Sequence, residues 1–239
     1  MNNLKGVGVA LVTPFNEDLS VDFDSLTRLI EYNIENGTNY LVVLGTTAEA
    51  ATLSKEEKKE VIKHVIKINS KRLPLVLGIG GNNTLEVKKQ IEETDLSDFD
   101  AVLSVSPYYN KPNQEGLYQH YKALAETGKQ IIIYNVPGRT GQNIEAATTV
   151  RLAKEFPNLF MIKEACPNIN QYFDILRTKP EGFSLVSGDD EYALPVTLAG
   201  GDGVISVIGQ GYPKEFSTML QLAFEGKIKE AYQIHNKLV

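Results

Sequence analysis

Eight short apolar runs recur along the chain, each followed by a stretch of helical periodicity, and few folds accommodate that alternation. The runs are GVGVALVTPF (6–15), YLVVLG (40–45), PLVLGIG (74–80), AVLSVSP (101–107), QIIIYNV (130–136), LFMIKEA (159–165), FSLVSGD (183–189) and GVISVIG (203–209). Helix-like stretches lie near 23–36, 55–69, 84–93, 115–127, 145–155, 169–178, 190–199 and 214–224. Apolar residues at consecutive positions suit parallel strands covered on both faces. Eight such units in 239 residues predict an α/β fold, a single-domain (β/α)8 TIM barrel. A doubly wound open sheet is the alternative, but GIGGNN does not fit GxGxxG and no GxxxxGK(S/T) occurs.

Local signals agree with this division. SKEE opens the second helix as a capping box between Ser54 and Glu57. Pro213 suits a helical first turn in YPKEF. KIKEAYQIHNKLV (227–239) reads as a further helix with Ile228, Ala231, Tyr232 and Leu238 as its buried stripe. It reaches Val239 without a C-terminal signal, as a frayed helix or a shortened chain would.

Composition removes several function classes. A net charge of −6 offers no basic face to nucleic acid. No apolar run approaches membrane-spanning length, and MNNLKGVGVALVTPF lacks the basic n-region of a signal peptide. The single cysteine, Cys166, permits no internal disulfide, and no Cys/His cluster resembles a metal site. A cytoplasmic protein is the simplest expectation.

In a barrel, reactive groups belong at the C-terminal ends of strands. That rule gathers Thr46 and Thr47, Tyr108 and Tyr109, Tyr134, Arg139, Lys163 and the SGDD segment at one rim. Each has a bland reading: a packed tyrosine, capping threonines, a solvated arginine, a snorkelling lysine. Asp190 reads best as a helix N-cap. His64, His120 and His235 fall on helical stretches away from the rim, which disfavours a Ser/His/Asp hydrolase. Chemically, an amine at the rim can form an iminium with a ketone, a tyrosine can relay protons, and an arginine can grip a carboxylate. Together these describe a Schiff-base aldolase acting on keto acids.

The segments VALVTPF, GTTAEA, SPYYNKPNQEG, YNVPGRTG, IKEA and SGDD…GVISV closely resemble the dihydrodipicolinate synthase family of class I pyruvate aldolases. The resemblance runs from about residue 6 to the eighth strand, with the motifs in order. It implies condensation of pyruvate with aspartate semialdehyde on the route to lysine, with no cofactor beyond the covalent pyruvate adduct and no metal. It implies that Lys163 forms the Schiff base and that Tyr134 relays protons between Thr46 and Tyr109, the latter from a neighbouring subunit. Thr47 would hold the pyruvate carboxylate and Arg139 that of the semialdehyde, with Gly188 and Ile205 lining the site. Asn82, Glu86 and Tyr108 match a lysine effector site at a dimer interface, although Lys55 and Lys58 stand where lysine-sensitive members often have histidines. A homodimer or homotetramer is implied.

Sialic acid lyases and keto-deoxy-sugar aldolases share the lysine and tyrosine, but VPGRTG favours the synthase. A keto-acid-binding barrel without turnover is the non-enzyme alternative. Ala48 in GTTAE and Cys166-Pro167 after the lysine depart from the family pattern. By the same comparison, residues 1–225 are the barrel and 226–239 a remnant of the family's C-terminal helical region.

Overall fold

Every run expected to be extended is a strand in the structure, a computed structural model that describes residues 4–239. The strands are β1 (Gly6–Ala10), β2 (Tyr40–Val43), β3 (Leu75–Gly78), β4 (Ala101–Val105), β5 (Ile131–Asn135), β6 (Leu159–Glu164), β7 (Ser184–Ser187) and β8 (Gly203–Ser206). Between and after them run α1 (Phe23–Glu35), α2 (Lys55–Asn69), α3 (Thr84–Glu93), α4 (Gln114–Ala125), α5 (Pro137–Thr140), α6 (Ala146–Glu155), α7 (Ile169–Thr178), α8 (Ala193–Leu198), α9 (Pro213–Phe224) and α10 (Ile228–Leu238). All eight strands are parallel, and β1 pairs β8 from Gly6↔Gly203 to Val9↔Ser206, closing the barrel.

Side chains alternate across each strand, so the barrel has two apolar compartments. Leu41, Val43, Ile131, Ile133, Ile162 and Leu185 pack outward against the helices. Tyr40, Val42, Val76, Leu103, Ile132, Met161, Val186 and Ile205 fill the interior. Gly8 lies under the Tyr40 ring, where a Cβ would sit 2.1 Å from a ring carbon. Gly203 has φ +136°, and a Cβ there would stand 2.0 Å from the Gly6 carbonyl oxygen. The seam between first and last strands therefore needs glycine for both conformation and space.

The helices bury one face each. The capping box of α2 is present, with Ser54 N donating to Glu57 Oε2 at 2.8 Å and Glu57 N to Ser54 Oγ at 3.2 Å. Pro213 occupies the first turn of α9. The stretch 190–199 does not form one helix: a 3₁₀ turn, Asp190–Tyr192, precedes α8. In α10 only Ala231 of the expected stripe is fully buried; Ile234 and Leu238 pack beside the core, while Ile228 and Tyr232 face solvent. The buried line is thus i, i+3, i+7, one helical face rotated from the expected one.

Candidate active site

Beyond a register shift near its start, β6 alternates like its neighbours, and Met161, Lys163 and Ala165 point into the barrel while Ile162 and Glu164 point toward the helices. Lys163 is therefore held inside the rim, 4% exposed, and does not snorkel. Register pairs it with Tyr134 on β5, and its Nζ lies 4.4 Å from the Tyr134 ring centroid. Gly188, after β7, packs against its stem: a Cβ there would meet Lys163 Cε at 3.0 Å and Ala165 Cβ at 2.7 Å. Burial pushes the Lys163 amine down to about 8, against the pull of Asp190 and Asp189; Arg139 adds to the lowering. Lys163 makes no ion pair among the described residues. An amine held this way is partly neutral near neutral pH, the state a nucleophile requires.

Tyr134 is buried, and burial raises its phenol; the nearby Thr46 side chain and the Arg139 charge oppose the rise. Thr46 and Thr47 lie in a 3₁₀ turn, Thr46–Ala48, directly after β2. The next helix, α2, is capped by Ser54, so the threonine hydroxyls are not spent on capping it. Arg139 stands exposed on the one-turn helix α5, whose backbone closes through Thr140 N to Val136 O at 3.0 Å. Ile205 is buried on the interior face of β8, in the cluster that contains Tyr134 and Val186.

Tyr109 is different. Its φ is +74°, and Asn110 N donates to Tyr108 O at 2.9 Å, so it is the centre of a γ-turn of the rarer hand. Its side chain is 89% exposed and has no hydrogen-bond partner among the described residues. A bulky residue in the left-handed region costs free energy and presents the ring outward. Within one chain Tyr109 is not brought to Tyr134. Tyr108 is half-exposed on the same loop, and Asn110 Nδ2 donates to Asn82 O at 3.0 Å, joining that loop to the start of α3. Glu86 is exposed in the first turn of α3, whose cap is Asn83.

Two expectations need correction. Asp190 does not cap the helix that follows it. Its carboxylate accepts from Val207 N at 3.2 Å, Ile208 N at 3.0 Å and the Ser206 hydroxyl, pinning the turn after β8. An acceptor facing three donors there is better satisfied than at its own 3₁₀ turn. His235 is not remote from the rim, because α10 folds back and His235 shares a cavity of about 840 Å3 with Asp189, Asp190 and Tyr192. His64 and His120 sit on α2 and α4 as expected.

Sequence reasoning passed over Glu164, which follows the lysine. It is fully buried, with Oε1 accepting from Asn135 Nδ2 at 2.7 Å and Cys166 N at 2.8 Å, and Oε2 from Gln171 Nε2 at 2.8 Å. Burial pushes its carboxyl up to about 7 against the pull of these donors. The available signal was a charged residue at an outward, helix-covered position of a central strand.

The sequence profile of the Dihydrodipicolinate synthetase family matches residues 3–239. The chain is 57% identical over 235 residues to 4-hydroxy-tetrahydrodipicolinate synthase of Flavobacterium psychrophilum, covering 98% of this chain and 80% of that one. Dihydrodipicolinate synthase from Thermotoga maritima superposes with a TM-score of 0.95 at 39% identity, over 99% of this chain and 81% of that one. The chloride-inhibited dihydrodipicolinate synthase from Acinetobacter baumannii, complexed with pyruvate, gives a TM-score of 0.93 at 44% identity, over 98% and 80%. By sequence over nearly its whole length and by the closed eight-stranded barrel, the chain belongs to the dihydrodipicolinate synthetase family.

Proposed function

We propose that this chain is a Schiff-base-forming lyase that condenses pyruvate with aspartate semialdehyde to 4-hydroxy-tetrahydrodipicolinate, a step of lysine and diaminopimelate biosynthesis. The observation that carries the reading is the desolvated Lys163 amine inside the rim, beside Tyr134 and packed on Gly188. The neutral amine adds to the pyruvate ketone, and water leaves to give an iminium. Loss of a proton from the pyruvate methyl gives an enamine, whose carbon attacks the aldehyde. The substrate's own amino group then displaces Lys163 as the ring closes. The iminium is the electron sink, so the reading calls for no metal and no organic cofactor.

Each proton movement needs a group that can both give and take. Tyr134, with the Thr46 side chain close by, is the relay in this reading. Thr47 and the backbone near Gly188 and Ile205 hold the pyruvate carboxylate and line the site. Arg139, exposed at the rim, receives the carboxylate of the semialdehyde, a match of charge that a neutral sugar chain would not use.

Tyr109 completes the relay from a second subunit, which accounts for an exposed tyrosine held in a strained turn. The minimal active unit is then a homodimer, with a tetramer as the larger option. Asn82, Glu86 and Tyr108 form the lysine effector site at that interface. The setting is the cytoplasm; among the described residues no helix is long and apolar enough to cross a membrane.

Reductive trapping tests the central claim. Borohydride added with pyruvate should attach one reduced pyruvyl group to a peptide containing Lys163. An adduct on another lysine, or none on the folded protein, would refute it.

A further inference from the structure

The chemistry above leaves one buried acid without a task. Glu164 lies on the opposite face of β6 from Lys163 and makes no ion pair among the described residues. Three donors face its carboxylate: Asn135 Nδ2, the backbone N–H of Cys166, and Gln171 Nε2. Both oxygens are engaged as acceptors.

Those donors are not free to turn around. Asn135 Oδ1 accepts from Ile144 N at 2.9 Å, which fixes its amide, and its Nδ2 donates to Glu164 and to Asn143 Oδ1 at 2.8 Å. Asn143 Nδ2 in turn donates to Gln171 Oε1 at 2.7 Å. Gln171 Nε2 reaches Glu164 as well as Ile144 O at 3.1 Å and Asn143 Oδ1 at 3.2 Å. The ring of amides therefore has one polarity, and Glu164 is where it terminates. An amide at position 164 would set N–H against N–H at one contact, and reversing the ring would fail at Asn135 because Ile144 N holds it.

The residues so tied belong to the proposed site's own framework. Asn135 follows Tyr134 on β5 and pairs with Glu164 across the sheet. Asn143 and Ile144 end the segment that begins with the Arg139 turn. Glu164 and Cys166 continue the strand that carries Lys163, and Tyr172 on α7 donates to Glu164 O at 2.7 Å. Resting on the lyase reading above, we propose that Glu164 is a positioning residue for the condensation. Its carboxylate closes an amide network that holds the Tyr134 strand end and the Arg139 segment in register with Lys163. It touches neither substrate nor Lys163; it acts through Asn135 and Asn143.

The experiment compares Glu164→Gln with the parent chain. Glu164→Gln should trap pyruvate on Lys163 within about threefold of the parent while kcat for condensation falls roughly ten- to a hundredfold, the loss expected for misplaced relay groups. Parent-like kcat in a folded Glu164→Gln protein overturns the proposal. Parallel loss of trapping and turnover in proportion to folded protein marks a merely structural role and overturns it equally. Should Glu164→Gln fail to fold, Gln171→Met, which deletes one donor, must lower kcat several-fold with trapping unchanged; an unchanged kcat overturns the proposal. Absence of trapping in the parent chain would instead refute the lyase reading itself.

Discussion

Lys163 shows how a single alternation of the backbone decides chemistry. Shifted by one position, the lysine would face the helices; on the inward face it is desolvated, and its amine falls to about 8. The cost is predictable. A depressed amine pKa means the folded state resists protonation, so the penalty is absent above the unfolded value of 10.5 and complete below about 8. Lys163→Met should therefore raise stability by about 3 kcal/mol at pH 7, with the gain fading between pH 8 and 10.5. Denaturant unfolding across that range measures it, and a pH-independent difference would contradict the assignment. Lys163 was visible in the sequence because it interrupts an apolar run. Glu164 was not, because nothing local distinguishes a buried acid satisfied by distant amides from a solvated one. Asn143 and Gln171 reach it from beyond β6 and β5, through contacts only the closed barrel creates.

At the level of elements, the strands were legible and the rim turns were not. Consecutive aliphatic residues read as buried strands whatever surrounds them, whereas the 3₁₀ turn at Asp190 depends on tertiary partners such as Val207 N and Ile208 N, and α5 is a single turn too short to show a periodicity. α5 illustrates the functional gain from a short turn, since it lifts Arg139 to the entrance with its backbone already closed. Arg139→Ala should lower kcat/KM for aspartate semialdehyde roughly ten- to a hundredfold and leave pyruvate trapping unchanged. Equal loss in both assays would remove Arg139 from the second-substrate role. Tighter constraint operates at the opposite end of the barrel. Gly8→Ala would place a methyl within the Tyr40 ring, and the overpacking should destabilise the fold by about 1–3 kcal/mol. Thermal unfolding of this variant beside Gly8→Ala/Tyr40→Leu checks it, because the smaller partner should restore most of the loss.

For the whole molecule, the exposed aromatic loop is the feature that demands a partner. Tyr108 and Tyr109 are exposed on a loop that Asn110 ties to Asn82, an aromatic surface that a second copy would cover. Sedimentation at assay concentration should show at least a dimer. Tyr109→Phe should leave association intact while slowing turnover, since only the hydroxyl is lost. A fully active monomer would exclude a shared site.

The pairing of Gly6 with Gly203 also governs how the chain comes to be folded at all. β1 leaves the ribosome early, but one of its two neighbours is the last of the eight strands to be made. Until β8 arrives, a nascent chain carries two open sheet edges with unpaired N–H and C=O groups, each a template for a foreign strand. Closure joins segments far apart in sequence, so its entropic cost falls late and its rate is slow compared with helix formation. A cell that makes this protein must therefore shelter the unfinished sheet through most of its translation.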